Sequence, residues 1–211
     1  MANAGNLDEL VISLARPGGN VTGLTNVSSE LAGKRLELLK EILPRLDRVA
    51  VLVSRLDAPS AHLKEMHAAA SSLQIQLQIL EVRVADDFER AFEAATKGRA
   101  GAMTVVSQSS GLLLRNRKQI AELAVKNRLP TIHDQISYVN AGGLISYAAN
   151  EIDMYHRAAT YVDKILKGRK PADLPIEQPM KFELVINLKT AKALGLTIPQ
   201  WTLTRADKVI N

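Results

Sequence analysis

Small hydroxyl and amide side chains recur in short runs along this chain, where they could hydrogen-bond a ligand. Ser107 to Ser109 is the densest run, and Ser54 with Asp57 forms another. Such groups bind a neutral or zwitterionic small molecule without reacting with it. The serines of the dense run also suit a helix N-cap, so a purely local role stays open. The predicted ligand-binding residues are Asn26, Ser54, Asp57, Ser107, Gln108, Ser109, His133, Asp134 and Tyr147.

A histidine followed directly by an aspartate has the composition of a general base with its orienting carboxylate. His133 and Asp134 form such a pair, but no activated nucleophile or second acid lies on the same loop. His62 and His67 are five residues apart, which suits a shared metal less well than a spacing of four. The sequence therefore predicts no catalytic residue, no metal site and no cofactor. The alternative is a freestanding flavodoxin-like domain with a hydrolase or signalling role.

Composition restricts the class of partner. Of 211 residues, 46% are hydrophobic and 23% charged, as in an ordinary globular protein with a core of its own. The net charge of +5 is spread along the chain rather than concentrated on one element, and only 4% of residues are aromatic. These features argue against a nucleic-acid partner. Because the chain has no cysteine, thiol chemistry and disulfides are excluded.

The elements that must position these side chains alternate along the chain. Short apolar or alternating runs, typical of strands, are each followed by a stretch with helical spacing. This alternation predicts an α/β fold in which a parallel sheet has helices on both faces. Ligands of such sheets bind beyond the carboxyl ends of the strands, which selects the loops 54–60, 107–111 and 133–140. The predicted strands of this sheet are 49–53, 75–84, 101–106, 129–132 and 144–147, and 21–25 and 182–186 are predicted as further strands outside it.

The flanking segments follow a different pattern. Apolar spacing predicts a helix over 7–15, which Pro17 and the glycines after it would end. Asn150 is a suitable N-cap for a long helix whose inward-facing side would include Tyr155, Val162 and Leu166. Residues 199–211 are interpreted as a tail.

Four motifs resemble one family closely and in the right order. They are Arg16-Pro17-Gly18-Gly19-Asn20-Val21-Thr22-Gly23 and the stretches 33–41, 142–147 and 182–195. Together they resemble the ABC transporter substrate-binding family that includes tryptophan and tyrosine binders. The resemblance implies a type I periplasmic-binding-protein fold, in which two α/β lobes close by a hinge on a small ligand such as an amino acid. It further implies a periplasmic location and an ABC permease as partner.

The chain also departs from the family pattern. Family members carry a signal peptide and a first lobe before the stretch that begins here near Leu7, and Ser54-Arg55 stands where Asn-Pro is usual. We therefore expect a truncated form, cytoplasmic if expressed as given, that homodimerises through exposed apolar faces. The expected division is a remnant of the first lobe over 1–27, a complete flavodoxin-like ligand-binding lobe over 28–150, and a helix, connector and crossover over 151–211.

Overall fold

The computed structural model of this protein describes residues 11–25, 27–54, 60–107 and 110–211. The chain divides into two compact units. The small unit comprises Met1–Val27 and Ala149–Phe182, and the large unit comprises Ser28–Ala148 and Glu183–Asn211. The chain therefore passes between the units at three points along its length.

A single seven-stranded sheet organises the large unit. Its order is β2-β1-β3-β4-β5-β6-β7, and β1 to β5 are mutually parallel. This confirms the predicted α/β fold and its parallel sheet. The strands are β1 Arg48–Ser54, β2 Gln76–Val82, β3 Ala102–Val106, β4 Thr131–His133, β5 Ile145–Ala149, β6 Phe182–Asn187 and β7 Lys208–Ile210.

The last two strands run against the other five. The Asn187 amide donates to the Leu144 carbonyl and the Asn150 amide to the Lys181 carbonyl, so β6 begins where β5 ends. β7 is parallel to β6. The prediction of a tail over 199–211 is wrong, because this segment adds a short helix and an edge strand to the sheet. Residues 183–211 belong to the large unit, whereas the sequence analysis groups them with a crossover to the other lobe.

Helices cover both faces of the sheet. Alternate residues of β1 divide between two cores, with Val49 and Val51 on one face and Ala50 and Leu52 on the other. This is the pattern expected of a strand buried on both sides. The helical stretch after β3 is interrupted at Asn116, which separates two helices. The helices of the large unit are α1 Ala32–Ile42, α2 Ser60–Ser72, α3 Asp87–Lys97, α4 Gly111–Arg115, α5 Arg117–Lys126, α6 Ile136–Asn140, α8 Leu188–Ala193 and α9 Gln200–Thr204.

The small unit contains the long helix α7, Glu151–Leu166. Asn150 caps it as predicted, because its side-chain oxygen accepts a hydrogen bond of 2.7 Å from the Asp153 amide. The predicted inward face is wrong: Tyr155, Val162 and Leu166 are exposed, and the buried residues of α7 are Met154 and Tyr161. No described segment covers the apolar face formed by the exposed residues.

The segment before α1 also differs from expectation. Residues 11–15, the described part of the predicted helix over 7–15, are not helical. They precede a stretch in which Leu24 forms a parallel bridge with Glu177 of the connector. Among the described residues, no helix has the length and apolar character needed to cross a membrane.

Candidate functional site

Three predicted site residues lie where neighbouring parallel strands end. Ser54 is the last residue of β1, Ser107 directly follows β3, and Asp134 directly follows β4. Since β1, β3 and β4 are adjacent in the sheet, their carboxyl ends meet at one edge. The structure therefore brings these three residues to one edge, as the sequence analysis expects. Four other predicted residues, Asn26, Asp57, Gln108 and Ser109, lie outside the described residues.

The carboxylate of Asp134 is held in place by Ser107. The Ser107 hydroxyl donates to Asp134 Oδ1 at 2.5 Å, and the Ser107 amide donates to Oδ2 at 2.8 Å. Both residues are buried. Hydrogen bonds to an ionised acceptor are stronger than neutral ones, so this pair ties the carboxyl end of β3 to the carboxyl end of β4.

His133 is packed rather than poised for proton transfer. Its ring is fully buried, stacks on Tyr138 with centroids 4.5 Å apart, and places Nε2 2.9 Å from the Thr131 hydroxyl. Burial, and then the nearby charge of Arg35, lowers the pKa of His133 to about 3. The imidazole is therefore neutral at physiological pH and is held by the Tyr138 ring and the Thr131 hydroxyl. This geometry favours a core role over the alternative of a hydrolase using His133 and Asp134.

Arg35, which the sequence analysis did not single out, is fully buried at the same edge. Nε donates to the Tyr147 carbonyl at 2.8 Å, Nη1 to the Ser28 carbonyl at 3.0 Å, and Nη2 to the Ser28 hydroxyl at 2.8 Å. Burial lowers the pKa of Arg35 to about 10, and the charge of Asp134 acts in the opposite direction. A signal was present in the sequence, because Arg35 interrupts the apolar side of α1 that includes Leu38, Leu39 and Ile42.

His62 completes a buried polar cluster that we define as Ser28, Arg35, His62, Ser107 and Asp134. Burial and then the charge of Arg35 lower the pKa of His62 to about 4, while Asp134 opposes this effect. His62 is therefore neutral near pH 7, where the cluster combines one cation with one carboxylate. This pairing of opposite charges makes burial of Arg35 tolerable.

Two further hydroxyls near this edge have no hydrogen-bond partner within the described part of the chain. Ser54 Oγ and Ser146 Oγ are both buried. A buried hydroxyl without a protein partner costs free energy unless a ligand or water satisfies it. Tyr147 is half-buried; its ring packs against the core, so ligand contact by this side chain stays a prediction.

The arrangement offers hydrogen bonds and one carboxylate rather than reactive groups. Among the described residues, no three His, Asp or Glu side chains are grouped so that they could hold a metal ion. The candidate site thus suits recognition of a small polar molecule.

A family model for ABC transporter substrate-binding proteins matches residues 7–210, which is nearly the whole chain. The chain belongs to this family. Because the family consists of binding proteins, the prediction that the protein is not an enzyme is confirmed. The resemblance recognised from the four motifs is confirmed by the same match.

Individual relatives agree with this assignment. A protein of Clostridioides difficile (strain R20291), named tyrosine-binding protein, is 23% identical over 188 residues, which cover 89% of this chain and 53% of the relative. A crystal structure of an ABC domain from Streptococcus pneumonia in complex with L-Trp is 25% identical, with a TM-score of 0.86, and the match covers 99% of this chain and 69% of that one. A conserved domain protein from Vibrio cholerae is 27% identical, with a TM-score of 0.85 over 97% of this chain and 68% of that one.

These matches differ in length from the present chain. The chain spans about half of the curated relative and about two thirds of the two solved structures. What those longer proteins bind is therefore a property of those proteins, and its extension to this chain is a proposal.

Proposed function

We propose that this protein is the solute-binding component of an ABC import system and binds an amino acid at the carboxyl edge of its parallel sheet. The buried carboxylate of Asp134, fixed by two hydrogen bonds from Ser107, is the observation that supports this most directly. The proposal agrees with family membership, and with a tyrosine-binding relative and a relative in complex with L-Trp. An ABC permease would be the partner that receives the solute.

The chemistry of this edge suits a zwitterion. An ionised carboxylate attracts the ammonium group of a zwitterion, and hydrogen bonds between charged groups are stronger than neutral ones. The Ser54 hydroxyl, which has no hydrogen-bond partner among the described residues, can donate to a carboxylate or accept from an ammonium group. Closure of two lobes around such a ligand, as the family resemblance implies, would stabilise the closed form through contacts from both sides.

Titration of the full chain with amino acids, monitored by NMR spectroscopy, tests this proposal. L-tryptophan and L-tyrosine, added at up to millimolar concentration, are expected to shift the backbone amides of Ser107 and Asp134. The amides of Ala141 and Gly142 precede β5 at the opposite edge of the sheet and should not shift. A Kd near 1 mM corresponds to about −4 kcal/mol, which is reasonable for a ligand held from one side. Absence of shifts at the carboxyl edge with all twenty amino acids would contradict the proposal.

Replacement of Ser54 separates ligand binding from protein stability. In a Ser54→Ala variant, the buried hydroxyl without a described protein partner disappears, so the stability of the free protein should be unchanged or slightly higher. The affinity for the amino acid that shifts the edge amides should fall roughly tenfold, equivalent to one lost hydrogen bond of about 1.4 kcal/mol. Ser72→Ala is the matched control, because Ser72 is exposed on α2 and its hydroxyl bonds only the Ala68 carbonyl at 3.3 Å. Equal affinity of the two variants would exclude Ser54 from the site.

We also propose that the chain forms a homodimer through the apolar face of α7. Ile152, Tyr155, Val162 and Leu166 are 70%, 64%, 57% and 81% exposed. Together with Ala159 they follow the alternating spacing of three and four residues found in a coiled-coil seam. The first turn of α7 carries Glu151 and Asp153, and the last turn carries Lys164. An antiparallel pair of α7 helices would therefore bring Lys164 of each copy towards Glu151 and Asp153 of the other.

A charge within this seam should abolish the dimer. Val162→Glu is expected to raise the dimer dissociation constant about thirtyfold or more, since a carboxylate desolvated in an apolar interface costs roughly 2 kcal/mol. Thr160→Glu is the matched control, because Thr160 is exposed on α7 but lies outside the seam spacing. Sedimentation equilibrium measures both. A monomeric parent chain, or a dimer that Val162→Glu leaves intact, would contradict the proposal.

A further inference from the structure

The acceptors of the Arg35 guanidinium lie beside two of the three points where the chain passes between its units. The chain enters the large unit at Ser28 and leaves it after Ala148, one residue beyond Tyr147. Arg35 itself lies on α1 in the large unit. One side chain therefore contacts the ends of two segments that are 119 residues apart in the sequence, at Ser28 and Tyr147.

The geometry of arginine explains why one residue can make these contacts. Its planar guanidinium presents donors in a rigid fork, unlike the single ammonium of lysine. Two branches of the fork bond the carbonyl and the hydroxyl of Ser28 at 3.0 and 2.8 Å, and the third donor bonds the Tyr147 carbonyl at 2.8 Å. Both backbone carbonyls are thereby satisfied by a group in the interior of the large unit.

The third passage is fixed by other means. Leu184, close to the passage between Phe182 and Glu183, exchanges hydrogen bonds with Asp207: the Leu184 amide donates to Asp207 Oδ2 at 2.8 Å, and the Asp207 amide donates to the Leu184 carbonyl at 2.9 Å. This passage is held by Leu184 of β6 and by Asp207, which precedes β7, so the role inferred for Arg35 concerns the first two passages.

The charge of Arg35 links these passages to the candidate site. Asp134 is the acidic group whose charge favours the ionised guanidinium, and the same carboxylate accepts both hydrogen bonds of Ser107. His62, the other titratable group of the cluster, is neutral near pH 7 and adds no competing charge. The charge of Arg35 therefore couples the Ser107–Asp134 pair, at the ends of β3 and β4, to the hydrogen bonds at Ser28 and Tyr147.

We propose that Arg35 is a positioning residue that fixes the large-unit ends of these two chain passages, so that Ser28 and Tyr147 stay rigid with the sheet. Any bending of the chain is then confined to residues beyond Ser28 and Tyr147. The inference is separate from the proposed solute binding. Its test uses no ligand, so its failure would leave the binding proposal untouched.

Hydrogen–deuterium exchange of the full chain, measured by mass spectrometry, tests the positioning role of Arg35. Arg35→Lys keeps the charge opposite Asp134 but cannot reach three acceptors at once. Peptides covering 27–31 and 146–149 are expected to exchange about tenfold faster than in the parent chain, because loss of the Arg35 hydrogen bonds allows these segments to open locally. The exchange rates of peptides covering 49–53 and 102–106 should stay unchanged. Arg48→Lys is the matched control: Arg48 also bonds a backbone carbonyl and a side chain, at the other end of β1, and its loss should leave 27–31 and 146–149 unaffected.

Unchanged exchange at both passages, or an equal increase in the central strands, would overturn the proposal, because the second result indicates general loss of stability. If Arg35→Lys does not fold, Ser28→Ala decides. This variant removes one of the three acceptors and leaves the rest of the cluster intact. A faster exchange at 146–149 as well as at 27–31 would support coupling through Arg35, whereas an increase limited to 27–31, or no increase, would refute it.

Discussion

Lowering the pH from about 7.5 to about 5 is expected to reduce the free energy of unfolding by about 4 kcal/mol. His133 and His62 are buried, and their pKa values are lowered to about 3 and about 4. In the unfolded chain both imidazoles titrate near 6.5, so below that pH the unfolded state binds protons that the folded state does not. Each histidine contributes about 2 kcal/mol of this loss at pH 5, since one pKa unit corresponds to 1.36 kcal/mol. The contribution of the two histidines to the free energy of unfolding is therefore fully present above about pH 6.5. It is lost progressively as the pH falls from there towards their pKa values in the folded protein.

Urea unfolding measured at both pH values checks this expectation. His62→Gln should halve the difference between pH 7.5 and pH 5, to about 2 kcal/mol, because one of the two titrating groups is gone. His67→Gln is the matched control, since His67 lies on the same helix but is exposed. A pH difference that His62→Gln leaves unchanged would show that His62 is not the neutral buried group described above.

The parallel sheet could be predicted from the sequence because its evidence is local. The run 49–53 has no polar residue, and strands covered on both faces require such a run. The strands and helices that follow it alternate with turn residues between them, which also predicted where the strands end. The predicted strand ends therefore select Ser54, Ser107 and Asp134, and the structure brings these three residues to one edge of the sheet.

The features that sequence reasoning missed depend on contacts between distant segments. The edge strand β7 pairs with β6, more than twenty residues earlier, and three residues carry too little pattern to predict a strand. The direction of the α7 apolar face was misjudged because apolar spacing identifies a face but does not indicate what covers it. Arg35 was overlooked because its acceptors, Ser28 and the Tyr147 carbonyl, are distributed over two segments.

Asp134→Ala is expected to lower the free energy of unfolding by about 3 kcal/mol, the largest effect of any single substitution proposed for the site. The change leaves the buried amide and hydroxyl of Ser107 without their acceptor, and it removes the carboxylate that favours the buried charge of Arg35. Unpaired buried donors cost about 1–3 kcal/mol, and an uncompensated buried charge costs more. Asp173→Ala, at an exposed position of the connector, should cost less than about 0.5 kcal/mol.

A double-mutant cycle assigns this loss to its cause. If the Ser107 hydroxyl acts mainly through Asp134, then Ser107→Ala added to Asp134→Ala should cost about 1–2 kcal/mol less than Ser107→Ala alone. Strict additivity would mean that the 2.5 Å hydrogen bond contributes little and that the loss arises from the Ser107 amide and from Arg35. The distinction matters for function, because a carboxylate that mainly balances Arg35 is a structural counter-ion. One held chiefly by Ser107 stays oriented at the sheet edge, where the ammonium group of an amino acid would meet it.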